Sequence, residues 1–150
     1  MNIRQATPKD AAIIADFNIR LAQETEDLLL EPNTVRQGVE ALLKDPAKGF
    51  YFVVETSEAG VVGQILITYE WSDWRNGNIW WIQSVYVREE FHGKGVFKLL
   101  FEHVEKLAKE SGEVCSLRLY VERENGRAHR AYQKLGMEET HYRVFEKGLR

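Results

Sequence analysis

The stretch Val85-Tyr86-Val87-Arg88-Glu89-Glu90-Phe91-His92-Gly93-Lys94-Gly95-Val96-Phe97-Lys98 reads as a strand, a short loop with two glycines, and the first turn of an amphipathic helix. Glycines at such a junction let backbone N–H groups turn toward a ligand with no Cβ in the way. The helix start adds about half a positive charge at the same point, and together they suit a phosphate or pyrophosphate. Arg88, His92, Lys94 and Lys98 thicken the positive field. The competing reading is an ordinary glycine-containing turn with solvated lysines. The stretch is neither a Walker loop nor a three-glycine dinucleotide fingerprint. A second stretch, Glu124 to Met137, sets Asn125, Ala128, Tyr132 and Leu135 at i, i+3, i+7 and i+10, one helix face. That face carries a capping amide, a small residue and a tyrosine able to give a proton; core packing of Tyr132 is the plain alternative. In a third, Tyr69-Glu70-Trp71-Ser72-Asp73-Trp74-Arg75, two tryptophans and two acids make a wall suited to a cation by charge and ring face.

The elements that must hold these residues alternate. Asn2 to Ala6 reads as a strand, and Thr7-Pro8-Lys9-Asp10 as a helix entry with a hydroxyl cap, a proline and a first-turn acid. The helix continues through Ile13, Ile14, Phe17 and Leu21. A second helix is expected from Thr34, with Gln37 completing a capping box, to a stop at Asp45-Pro46. Three strands follow at Phe50 to Thr56, Val61 to Glu70 and Asn78 to Val87. Phe97, Leu100, Phe101, Val104, Leu107 and Ala108 then line a helix ended by Ser111-Gly112. Cys115, Leu117, Leu119 and Val121 alternate on a further strand, with Cys115 expected to face inward as a small hydrophobe. The helix Asn125 to Leu135 closes on Gly136, and Thr140 to Lys147 is expected to be a terminal strand. The order β-α-α-β-β-β-α-β-α-β predicts a mixed α/β (α+β) fold in one domain.

Composition narrows the partners. A net charge of −3 lacks the basic surplus of a general nucleic-acid binder. The apolar runs, such as Gly60 to Thr68, fall far short of the ~20 residues that span a bilayer. The start, Met1 to Pro8, has no apolar stretch of the secretory kind. One cysteine forms no internal disulfide, and no His/Cys cluster is spaced for a metal. The expectation is a cytoplasmic protein that touches neither membrane nor nucleic acid.

The first two stretches, in this order and spacing, resemble the GNAT superfamily of acetyl-CoA-dependent N-acetyltransferases. The family's acyl-CoA loop, Arg/Gln-x-x-Gly-x-Gly/Ala, stands here as His92-Gly93-Lys94-Gly95-Val96-Phe97, with His92 in place of Arg or Gln and Phe97 in place of a small residue. The family's later helix, Asn-x-x-Ala-x-x-x-Tyr-x-x-x-Gly-Phe, stands as Asn125, Ala128, Tyr132, Gly136 and Met137. The resemblance covers nearly the whole chain in topology and Val85 to Met137 in motif. It implies a mostly antiparallel sheet of six to seven strands flanked by about four helices. It implies that backbone groups of Val85, Tyr86 and Val87 pair with the pantetheine arm. Backbone N–H groups of Gly93, Lys94, Gly95, Val96, Phe97 and Lys98 would hold the pyrophosphate beside His92. Asn125, Arg127 and Ala128 would border the pantetheine, Arg130 or Lys134 the nucleotide's 3′-phosphate, and Tyr132 would be the general acid.

The resemblance implies direct attack of an amine on the thioester. Its base is open among Glu24, Glu26, Asp27, Glu70, Asp73 and His141, since Gln83 and Ser84 stand where many members carry an acid. For the acceptor, the negative Glu24 to Asp27 segment, Glu70, Trp74 and Gln83 point to a small cationic amine, polyamine or amino-acid-like, as in the spermidine/spermine-type branch. Protein N-terminal or lysine acetylation, an inactive acyl-CoA-binding module, and a phosphate-binding α/β protein outside the family remain alternatives. The terminal strand, the exposed aromatics and the habit of the family make a homodimer the expected assembly.

Overall fold

The computed structural model describes residues 1–150, which fall into two compact units, Met1–Leu119 and Tyr120–Arg150. The first contains β1 (Asn2–Gln5), α1 (Ala11–Glu26), α2 (Pro32–Lys44), β2 (Phe50–Thr56), β3 (Gly60–Ser72), β4 (Gly77–Val87), α3 (Val96–Ser111) and β5 (Val114–Leu119). The sheet runs β1-β2-β3-β4-β5. Its first four strands are antiparallel, and β5 lies parallel to β4 after the α3 crossover. No helix is long and apolar enough to cross a membrane.

Helix entries follow local chemistry. The Asp10 carboxylate accepts from the Thr7 N–H at 2.8 Å and from the Arg4 guanidinium at 2.8 and 2.9 Å, tying β1 to the start of α1. The Arg4 guanidinium holds the Asp10 carboxyl below the usual carboxylate range, against the opposing effect of burial. α1 ends at Asp27, in the left-handed region with φ 50°. α2 starts earlier than Thr34. Glu31 is its cap, accepting from the amides of Asn33 and Thr34 at 3.1 and 2.6 Å, and Pro32 fills the first turn. An acid can cap as a hydroxyl does, and the adjacent proline fits only there, so Thr34 and Gln37 fall inside the helix.

Two cores sandwich the sheet. Ala11, Ile14 and Ala15 of α1 and Val39 of α2 pack with Tyr51, Val53 and Leu66 on one face. The opposite face takes α3, where Val96, Leu100, Phe101, Val104 and Ala108 are buried and His103 meets Phe52 edge-on at 4.6 Å. Gly63 permits the close seat of the α3 start, because a Cβ there would lie 2.7 Å from Val96 Cγ1.

Two expectations are corrected in the sheet. It has five strands rather than six or seven, because Thr140 to Lys147 forms no strand. A strand is defined by its ladder, and the unit 120–150, whose one regular element is α4 (Gly126–Lys134), holds no second strand to pair with. Cys115 is exposed rather than inward. The register steps from Asn78↔Val114 to Ile79↔Ser116, so Cys115 is the extra residue of a bulge and escapes the alternation.

Candidate functional site

The junction of β4 and α3 is built from a bulge, a partly open strand edge and a loop. Gln64 of β3 pairs with Tyr86 while Leu66 pairs with Gln83, so β4 carries one extra residue between them. Ser84 there adopts φ 49°, left-handed for a non-glycine. β5 pairs with β4 only as far as Ile82↔Leu119, and β4 runs on to Val87. The Arg88 N–H donates to Val62 O at 2.9 Å. Alternation then turns the backbone groups of Tyr86 toward β3 and those of Val85 and Val87 to the other edge.

The loop continues that edge. Glu89–Phe91 forms one 3-10 turn, and His92 Nε2 lies 2.8 Å from Val87 O, stapling the loop to the strand end. Gly93 and Gly95 have φ 76° and 82°, and a Cβ on either would meet nothing within 4 Å. Their need for glycine is conformational, and the space above their backbone is open. Gly95 caps α3, whose first turn directs the amides of Val96, Phe97 and Lys98 toward that space. The Phe97 ring packs beside that of Phe101, one turn further along α3, with centroids 6.0 Å apart. Lys94 Nζ lies 5.2 Å from the Phe91 ring centroid and puts a cation beside the glycines, while Arg88, with Cζ 5.9 Å from the same ring, is paired with the Glu90 carboxylate at 2.7 Å. This arrangement fits a pyrophosphate on backbone amides with an extended arm along β4.

The acceptor candidates divide. Glu70 and Gln83 share the α1/α2 side of the sheet, by the pairings Leu66↔Gln83 and Glu70↔Ile79. Glu70 accepts from Trp81 Nε1 at 3.0 Å and has Arg118 at 4.0 Å; Gln83 donates to Thr68 Oγ1 at 2.6 Å. Trp74 stands at the tip of the β3–β4 hairpin, 89% exposed. Glu24 instead meets the far end of β4, accepting from the Tyr86 hydroxyl at 3.4 Å, and Asp27 ends α1 with its carboxylate on Gln23 Nε2 at 2.9 Å. Ile79 and Tyr86, the β4 residues beside Glu70 and Glu24, are seven residues apart, about 23 Å along a strand. The two acidic segments therefore do not form one wall.

In the unit 120–150, Asn125 caps α4 by accepting from the Ala128 N–H at 3.1 Å, which leaves its Nδ2 as the donor. Gly136, at φ 87°, ends the helix, and Tyr132 O accepts from the amides of Leu135 and Met137 at 3.0 and 3.1 Å. Burial raises the Tyr132 pKa, so its hydroxyl keeps its proton at neutral pH.

The sequence reading missed Gln64, Asn18 and the Ser84 bulge. Gln64 Nε2 donates to Asn18 Oδ1 at 2.8 Å and to Ser84 O at 3.0 Å, and Asn18 Nδ2 donates to the Tyr51 hydroxyl at 3.0 Å. A glutamine inside the apolar run Val61 to Ile67 was the available signal.

Residues 15–137 match the Acetyltransferase (GNAT) family, a span that includes residues of both units. A solved structure of a possible acetyltransferase from Clostridium difficile 630 is 45% identical, covers 99% of this chain and 97% of that one, and superposes with a TM-score of 0.92. An aminoglycoside N(6')-acetyltransferase type 1 from Stenotrophomonas maltophilia is 29% identical over 95% of this chain and 90% of its own length. A thialysine N-epsilon-acetyltransferase from Bos taurus is 35% identical over 80 residues, 53% of this chain and 45% of the bovine protein.

Proposed function

The chain belongs to the acetyltransferase (GNAT) family and is an acetyl-CoA-dependent N-acetyltransferase, and on that premise we propose that it acetylates a small cationic amine by direct attack on the thioester. The observation that carries the cofactor half is the run from the open edge of β4 into the left-handed Gly93 and Gly95 at the start of α3. In this reading the outward backbone of Val85 and Val87 binds the pantetheine arm. The loop amides hold the pyrophosphate, with Lys94 and Lys98 nearby. His92 acts as a staple of that loop.

An alkyl ammonium has a pKa of about 10.4, so the acceptor arrives protonated and must lose its proton before attack. The nitrogen then bonds to the thioester carbonyl carbon, the C–S bond breaks, and CoA leaves as a thiolate. Tyr132 gives that thiolate its proton and regains one from the second proton the acylated nitrogen sheds, so the products are the amide, the CoA thiol and one proton passed to solvent. A phenol of pKa about 10 or above is protonated at neutral pH, so the hydroxyl has a proton to give; the upward shift from burial makes it a weaker donor, and what suits it to this role is its position on the α4 face. Holding both substrates in line supplies the largest share of the acceleration, up to about 7–11 kcal/mol. Asn125 Nδ2 donates to the pantetheine. The family match, which spans residues of both units, supports treating 1–150 as one catalytic domain.

The acceptor class rests on Glu70, whose carboxylate carries the Trp81 indole N–H, with Gln83 on the same side of the sheet and Trp74 exposed at the hairpin tip, groups suited to a cation. The curated relatives support it, being named for amino groups of thialysine and of an aminoglycoside. The test is CoA release with a panel of polyamines, lysine-like amino acids and aminoglycosides. One class should turn over, and Tyr132→Phe should lower its kcat by about 10²–10⁴-fold with little change in acetyl-CoA affinity. Turnover of a peptide N-terminus and of no small amine would sink the acceptor class.

A further inference from the structure

Gln64 is a polar side chain with 0% exposure in the middle of β3. Both of its amide hydrogens are used, on Asn18 Oδ1 and Ser84 O, which fixes its orientation and leaves Oε1 buried with no partner. An unpaired buried acceptor destabilises a fold, and an apolar side chain of similar volume would avoid it. The grip lands on Ser84, the left-handed residue at the β4 bulge. A serine holds that conformation only where its surroundings over-determine it. Gln64 is in turn aimed by Asn18, itself held by the hydroxyl of Tyr51, which is 3% exposed in the α1/α2 core. The chain of contacts runs from that core to the point where β4 outruns β5.

We infer that Gln64 is a positioning residue: with Asn18 and Tyr51 it pins the Ser84 carbonyl, keeps the bulge in β4, and so sets the backbone of Val85 and Val87 against the thioester arm. The assignment rests on the proposed acetyl transfer. Without the bulge, alternation would run unbroken from Gln83 and turn Val85 to the α1 side, where Tyr86 now stacks on Phe17 at 4.9 Å. The backbone groups now turned outward would then face β3.

The test compares five variants in steady-state kinetics and melting. Gln64→Met removes both donors, and Asn18→Leu removes the acceptor that aims them. Asn18→Asp keeps that acceptor. Val39→Ala opens the α1/α2 core away from the bulge. Gln64→Met and Asn18→Leu should lower kcat by about tenfold to a hundredfold, the scale of a misplaced reacting group. Their KM for acetyl-CoA should rise and their KM for the amine should not move. Asn18→Asp, whose carboxylate can accept from both Gln64 Nε2 and the Tyr51 hydroxyl, should lose less kcat than Asn18→Leu, and Val39→Ala should melt lower with kcat intact. Ser84→Gly, added to Gln64→Met, should recover part of the loss, because glycine takes a positive φ without strain. Should Gln64→Met fail to fold, Asn18→Leu decides. Wild-type kcat in the variant so tested overturns the assignment, and so does a Val39→Ala enzyme whose kcat falls with its Tm. A wild type that neither binds acetyl-CoA nor turns over any amine overturns the proposed function itself, and this assignment with it.

Discussion

At its C-terminal end β4 passes through a bulge gripped by a buried amide and enters a loop whose glycines sit at φ 76° and 82°. At its N-terminal end it emerges from a hairpin carrying Trp71 and Trp74, 60% and 89% exposed, with Glu70 held by a single indole N–H and a distant guanidinium. The first end is fixed from several directions before any ligand arrives; the second presents charge and ring surface on side chains free to re-pack. Preorganisation suits a partner that never changes, as acetyl-CoA does not. In the proposed reading, a half-exposed carboxylate touched by one indole, at the base of an exposed hairpin, suits an acceptor that differs from one family member to another. If the proposed sites are right, chemistry and specificity are built at different stiffness along one strand.

Gly95→Val attacks the stiff end hardest. Gly95 is both left-handed and the cap of α3, and a β-branched residue at that φ is strained by about 1–2 kcal/mol or more. The loop should move, and acetyl-CoA affinity should fall by about a hundredfold, a loss of about 2.7 kcal/mol. Calorimetry would show it, with amine selectivity at saturating acetyl-CoA retained. Equal loss of both would mean that the two ends are not independent.

How far this division could be read beforehand depends on what each part is made of. The β4–α3 loop and α4 were legible because glycine position, helix caps and 3.6-residue spacing are local. Gly95, Gly112, Asn125 and Gly136 sit where those rules place them. The Ser84 bulge was not legible, since one serine inside a β-branched and aromatic run is a weak turn signal and its carbonyl is held by Gln64, twenty residues away. Nor was the separation of Glu24 from Glu70, which follows from sheet register rather than composition. The cap of α2 was misread by one rule, hydroxyl over carboxylate, though Glu31-Pro32 carried the signal. The terminal strand expected at Thr140 to Lys147 depends on a partner that local sequence does not supply.

Glu70→Gln probes the softer end with a smaller effect. It keeps the acceptor for Trp81 Nε1 and removes the charge. Because the carboxylate is half exposed and screened, the KM of a cationic amine should rise only about three- to tenfold, on the order of 1 kcal/mol. Acetyl-CoA affinity should not change. The same substitution with a neutral amine substrate should do nothing, and a loss there would show that Glu70 acts on more than charge.

The smallest effect expected is one of pH, and it reports on stiffness directly. Burial raises the pKa of Tyr51 above its ordinary value of 10.0, against the hydrogen bonds from Asn18 and Ser84 that oppose it. Burial also raises Tyr69, at the hairpin end, whose hydroxyl donates to Pro46 O at 3.0 Å. An acid raised in the folded state keeps a proton that the unfolded chain has already lost. Folded protein then binds more protons, so stability is whole below pH 10 and falls as pH rises through the folded value. Tyr51 is 3% exposed and Tyr69 39% exposed, so solvent reaches the second phenolate far more easily than the first. In alkaline melts Tyr51→Phe should therefore flatten the decline more than Tyr69→Phe. Equal slopes would mean that the network beneath the bulge is no stiffer than the hairpin, and the contrast between the two ends would fail.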